Sequence, residues 1–169
     1  MKIINITSSL AAGLAHRLRT IDAQMVIDAV KKDPIKAIRA NLRIAGKLVE
    51  ANKAFEDAVA DTETKKRLIL TGLKAEYDKD SVGKSKEEAS ALARELTARF
   101  NKDSAEVQKL SEANPDTLIS VELSDDDYTD ILIPVFSKTA SLWDVEGDGG
   151  GQELFLKVAN FLEGAVDVK

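Results

Sequence analysis

The stretch from Asp33 to Tyr77, DPIKAIRANLRIAGKLVEANKAFEDAVADTETKKRLILTGLKAEY, decides the fold class. Asp33 can accept hydrogen bonds from free backbone N–H groups, and Pro34 sits where its fixed φ suits a first helical turn and its missing N–H costs nothing. Ile35, Ile38, Leu42, Ala45 and Val49 then recur at spacings of three and four. Ile44, Leu48, Phe55 and Val59 extend an adjoining stripe that drifts as a 3.6-residue period requires. No proline follows until Pro115. The pattern predicts one helix from Pro34 to about Tyr77, about 65 Å long at 1.5 Å per residue. Gly46 and Gly72 each weaken it by about 1 kcal/mol relative to Ala, so either can admit a bend.

C-terminal to this helix, Asp78 to Lys84 (DKDSVGK) reads as a turn. Ser85 is a cap and Glu88 stands at the reciprocal capping-box position. Ala89, Leu92, Leu96, Phe100, Val107 and Leu110 mark the inner face of a second helix that Asn114-Pro115 stops. Consecutive helices joined by a short turn run antiparallel, which makes an αα-hairpin. The second arm is the shorter, so the N-terminal helices or another chain must cover one end of the first.

On the N-terminal side, Met1 to Thr7 reads as a strand. Thr7, Ser8 and Ser9 can cap a short helix through Leu10, Leu14 and Leu18, and a second one covers Asp22 to Lys31 with Met25, Val26 and Val30 inward. Leu118 to Leu123 (LISVEL) alternates, and pairing with Ile3 to Ile6 would give a two-stranded sheet. Ser124 with Asp125, Asp126 and Asp127 is a cap followed by acids at a positive helix end, and Pro134 kinks or ends that helix near Phe136. EGDGGG, 146–151, is a flexible linker. A last helix from Gln152 to about Leu162 buries Leu154, Phe155, Val158, Phe161 and Leu162. Being short, it holds only by docking and is a candidate detachable arm. The expected fold is mainly α: a long antiparallel αα-hairpin with short N-terminal helices, a minor two-stranded β element and a C-terminal docking helix. The expected division is 1–143 as the hairpin domain, 144–151 as an acidic Gly-rich linker, and 152–169 as the docking helix.

Composition narrows the chemistry. The 169 residues contain no cysteine and a single histidine, His16, which removes disulfides, thiolate sites and multi-His metal clusters. No apolar run reaches the roughly 18 residues of a membrane span, and no secretory leader pattern is visible, so the expected location is not extracellular. The net charge of −5 disfavours nonspecific nucleic-acid binding, but it is unevenly spread. From Ser124 to Lys169 ten acids face three bases, whereas His16 to Lys47 is basic. Such polarity serves head-to-tail packing of copies or docking on a charged partner, or else only solvates two faces.

Each candidate motif has a bland alternative. Gly83-Lys84-Ser85 looks like the end of a phosphate loop, but the required earlier glycine is Asp78 and no buried strand precedes it. Asp144, Glu146, Asp148 and Gly149 match the start of a calcium loop, but the position of the closing bidentate Glu is Phe155, which favours a polar linker. No partner for a catalytic triad can be nominated for His16. Lys36, Arg39, Arg43 and Lys47 form one helical stripe that can track phosphates or meet the acidic C-terminal part of another copy. No aromatic interleaves the stripe, which argues against base stacking. The candidate partner-binding residues are therefore Lys36, Arg39, Arg43 and Lys47, the acids Asp125, Asp126 and Asp127, and the apolar Leu154, Phe155 and Phe161. No cofactor or metal is called for.

MKIINIT, PIKAIRANLRIAGKLVEANKAFEDA, KKRLI, AEYDKD-x-x-G, EEASALARELTARF, ISVEL and LSDDDYTDIL, in that order over about residues 1 to 137, resemble small proteins encoded by tailed bacteriophages. The resemblance implies an accessory component of virion assembly, located in the virion or host cytoplasm, whose partners are virion proteins or copies of itself. It carries no functional residue over, and the segment from Asp144 onward departs from the pattern. Three functions follow as expectations: a structural or assembly protein acting through contacts, an inhibitor that places its acidic C-terminal part in a basic groove of a host protein, and, disfavoured, an enzyme.

Overall fold

The computed structural model describes residues 1–31, 33–143 and 150–167. The elements run in the order β1 (Lys2–Thr7), α1 (Ser8–Thr20), α2 (Ala23–Ala29), α3 (Pro34–Ala51), α4 (Lys53–Asp80), α5 (Lys86–Lys109) and β2 (Leu118–Leu123). A π-helical turn (Asp127–Leu132), α6 (Ile133–Lys138), a 3₁₀ turn (Ala140–Leu142), α7 (Gly150–Glu163) and β3 (Val166–Asp167) complete it. Two compact units result. One combines Met1–Ala54 with Asn114–Lys169, and the other is Phe55–Ala113.

The first unit holds the main core. β1 is the central strand of an antiparallel sheet in the order β2-β1-β3. Ile3 faces Glu122 and Ile6 faces Ile119 across the expected β1–β2 pair. The sheet has three strands and not two, because Val166 and Asp167 add to the other edge of β1 opposite Ile3 and Lys2. Ile4 and Ile6 of β1 and Val121 and Leu123 of β2 are buried together with Leu14 and Leu18 of α1, Val26 of α2, and Ile44 and Leu48 of α3. Local capping follows the sequence at α3, where Asp33 accepts from the Lys36 N–H at 3.0 Å, and Asp22 likewise caps α2 through the Gln24 N–H at 2.7 Å. Thr7, expected to cap α1, stands at its N-cap with no side-chain cap bond. The inward face of α3 is Ala37, Ala40, Asn41, Ile44, Ala45 and Leu48, so Ile35 and Leu42, expected inside, are exposed. The small side chains of α3 let α1 pack close, and the Asn41 amide donates to the Leu18 carbonyl at 2.6 Å.

The expected continuous helix from Pro34 to Tyr77 is broken. α3 stops at Ala51 and α4 begins at Lys53, with Asn52 between them at φ −98° and ψ 8°. The break falls at neither Gly46 nor Gly72. Asn52 is 1% exposed, and its side-chain amide donates to the Ser8 carbonyl at 2.9 Å, tying the end of α3 to the start of α1. That bond, together with the Asn52 N–H shared between the Leu48 and Val49 carbonyls, ends the helix where propensity alone would continue it.

The C-terminal helix is built into this same unit, which corrects its reading as a detachable arm. Val158 and Leu162 of α7 are buried in the core, and α7 lies against β1 and α1. Phe155 stacks on Phe136 with ring centroids 4.5 Å apart and planes 10° from parallel. The Tyr128 hydroxyl donates to the Leu162 carbonyl at the end of α7. Of the expected linker, 144–149 lie outside the described residues, and Gly150 and Gly151 already belong to α7. Trp143 is buried, its indole N–H donating to the Thr139 hydroxyl at 3.0 Å. Pro134 has no N–H to give to a preceding carbonyl, and the wider π-helical turn lies directly before α6, which passes through it to Lys138.

The second unit is the αα-hairpin, formed by α4 from Phe55 onward and by α5. Its turn contains Gly83 at φ 75°, a left-handed conformation that suits glycine. Ser85 caps α5 through the Glu88 N–H at 3.2 Å, and the Glu88 carboxylate accepts from the Ser85 N–H at 2.8 Å, completing the capping box. The seam between the arms is thin. Leu73 and Leu96 are its buried apolar residues, and Thr62, about three turns before Leu73 on α4, is also buried. Polar bridges span it: Glu76 to Arg99 at 2.6 Å, Lys66 to Gln108 at 2.7 Å, and the Thr62 and Ser111 hydroxyls at 2.6 Å.

Candidate functional site

The basic stripe of α3 and the acidic turn after β2 meet within one chain. The Arg43 guanidinium clasps Asp127 through both carboxylate oxygens, at 2.5 and 3.3 Å. Asp127 is 6% exposed and lies at the start of the π-helical turn, with its own N–H on the Ser124 hydroxyl. Lys47 donates to the Glu122 carbonyl at 2.9 Å, and Asp125 pairs with the amino group of Met1 at 3.1 Å. Lys36, Arg39 and Arg43 on one side, with Asp126, Asp127 and Ile131 on the other, line a cleft of about 320 Å³. Opposite charges inside the cleft offset each other, so the field at its mouth is not that of a phosphate track.

The apolar candidates on α7 divide. Phe155 and Phe161 pack against the core, whereas Leu154 is 44% exposed. Lys2 pairs with Asp167 of β3 at 2.7 Å and lies 5.7 Å from the centre of the Tyr128 ring. The Asp167 carboxylate, hydrogen-bonded to the Lys2 ammonium, is held below its ordinary value, and the same bond raises Lys2. Burial raises the Tyr128 phenol.

His16 is exposed on α1, where its carbonyl accepts from the Thr20 hydroxyl at 2.9 Å. Gly83, Lys84 and Ser85 form the tip of the hairpin, with the Ser85 hydroxyl committed to the α5 cap. The calcium-like positions Asp144, Glu146, Asp148 and Gly149 lie outside the described residues. Among the described residues no group of three or more His, Asp or Glu side chains is placed to hold a metal ion, and no helix is long and apolar enough to cross a membrane.

An apolar concavity lies on the hairpin, and none of the residues the sequence singled out for partner binding lines it. Leu70, Leu73, Lys74 and Tyr77 of α4 and Ala93, Leu96, Thr97 and Phe100 of α5 line a groove of about 410 Å³. A second hollow shares Ala93 and Thr97 and continues over Ser90, Arg94, Ala98 and Asn101. Leu70, which lines the groove, is 51% exposed, and Leu68, turned away from it on α4, is 66% exposed. The signal in the sequence is Leu68-Ile69-Leu70: three consecutive apolar residues fan around a helix by about 100° each, so one seam cannot bury all three. Compared with family models, with curated proteins and with solved structures, the chain matches none.

Proposed function

We propose that this chain is a non-enzymatic protein that acts through contacts with other protein chains, in the manner of the tailed-phage assembly accessory proteins its sequence resembles. The observation that carries the reading is the hairpin, which buries Leu73 and Leu96 between its arms and leaves Leu68, Leu70 and Leu110 exposed. Two helices that bury so little apolar surface gain little from packing, and a partner that covers the groove supplies what they lack. The alternative of an inhibitor working through its acidic turn has less support, since Asp125 and Asp127 are engaged by Met1 and Arg43 of the same chain.

The test is affinity purification of the full chain from its native source, with co-purifying chains identified by mass spectrometry and their stoichiometry measured. The expected result is a defined protein partner in fixed ratio, reduced several-fold by Leu68→Glu with Leu70→Glu, while far-ultraviolet dichroism is unchanged. Recovery of the chain alone, at every stage at which it is made, would falsify the reading.

A further inference from the structure

Resting on that reading, the surface of the hairpin narrows the kind of partner. The groove has an apolar floor of Leu70, Leu73, Leu96 and Phe100, and from Leu70 to Tyr77 it follows about two turns of α4. That length suits the stripe of one helix, read as residues at i, i+3, i+4 and i+7. On the α5 side the floor passes into Ser90, Ala93, Thr97 and Ala98, whose small side chains allow a second helix to come close.

Charge selects among helices. Lys74 lines the groove and Arg94 lines the continuing hollow, and no carboxylate lines either. Among the described residues neither cation has an ion pair, in contrast to Lys66 and Arg99, which are paired across or beside the seam. A second copy seated groove to groove about a two-fold axis would set this cationic surface on itself, since such an interface uses the same patch twice. An acidic helix would neutralise it. We propose that the groove between α4 and α5 receives one amphipathic helix of a partner protein, with a Leu-rich stripe flanked by Asp or Glu, and that Lys74 and Arg94 select its charge.

The probes are two synthetic helical peptides with the same leucine stripe, one flanked by Glu and the other by Lys, titrated into the full-length protein by fluorescence anisotropy. The Glu peptide is expected to bind, with amide shifts at Leu70, Ala93 and Phe100. Its Kd is expected to weaken about tenfold in the variant Lys74→Glu with Arg94→Glu, and to weaken with added salt. The same variant is expected to gain affinity for the Lys peptide, an outcome that a misfolded variant cannot produce. Equal binding of both peptides overturns the proposal, as does binding of neither at millimolar concentration. A concentration-dependent dimer in sedimentation velocity, lost on Leu70→Glu, also overturns it by naming a second copy as the occupant. In each of these cases a stoichiometric partner from the native source would leave the contact function standing.

Discussion

Arg43 and Asp127 show what a single pair does in this chain. Asp127 is buried at the start of a π-helical turn and its partner is half exposed, so removing the arginine strands a carboxylate that water only partly reaches. Arg43→Ala is therefore expected to cost about 1–2 kcal/mol, discounted for the exposure of the guanidinium, while Lys36→Ala and Arg39→Ala stay within about 0.5 kcal/mol. Urea unfolding of the three variants checks this order. Ser85 acts alike at the hairpin tip, where Ser85→Ala should cost the unit about 1 kcal/mol through loss of the cap. The backbone N–H of Ser85 holds the Glu88 carboxyl below its ordinary value. A depressed acid contributes above its unfolded pKa and stops contributing as pH falls through the folded one. The first turn of α5 is thus expected to fray on acidification below the usual Glu range, and the Glu88 side-chain carbon, followed by NMR, should titrate lower than in an unfolded peptide. Had Glu88 titrated at or above the peptide value, the reciprocal cap would be absent in solution.

Among the elements, the junction of α3 and α4 carries the clearest consequence. Asn52 is buried, and its amide satisfies the Ser8 carbonyl. Asn52→Ala removes that bond, leaves a buried acceptor, and lets helical propensity run on from Ala51 to Lys53. The expected cost is about 1–3 kcal/mol, with helical dichroism undiminished, and a neutral thermal midpoint would show that the junction is set elsewhere. The same junction shows what local sequence can and cannot state. The arms of the hairpin, the capping box and the β1–β2 pairing were legible because each depends on residues a few positions apart or on strict alternation. The break was not, because its cause is a bond to Ser8, 44 residues away. The inward face of α3 was misread for a related reason. Ile35 and Leu42 are the larger apolar residues, but the close approach of α1 selects the alanines. A strand of two residues such as Val166–Asp167 has no pattern of its own and exists because β1 offers an edge. The stripe Lys36, Arg39, Arg43 and Lys47 was legible as a stripe, but that Asp127 of the same chain would occupy part of it depends on tertiary structure alone.

At the scale of the molecule, the two units differ in what holds them. The first has a continuous core from both ends of the chain, with β1 at its centre and the second of its two segments returning through β2, α6 and α7. The second has two buried leucines and a set of surface bridges. Local opening is cheapest where buried apolar contacts are fewest, so amides of α4 beyond Phe55 and of α5 are expected to exchange with solvent well before those of β1 and α3. Hydrogen exchange followed by mass spectrometry checks this, and uniform protection across both units would contradict it. Trp143, the single tryptophan, is buried in the first unit beside Gly13, where an added Cβ would come within 3.3 Å of its ring, and edge-on to Phe136, whereas the aromatic residues of the hairpin are Phe55, Tyr77 and Phe100. Nature has thus placed one optical reporter in one half of the molecule. Indole emission is blind to the hairpin, so a melt watched by fluorescence and one watched by ellipticity should part company, the second curve leading the first.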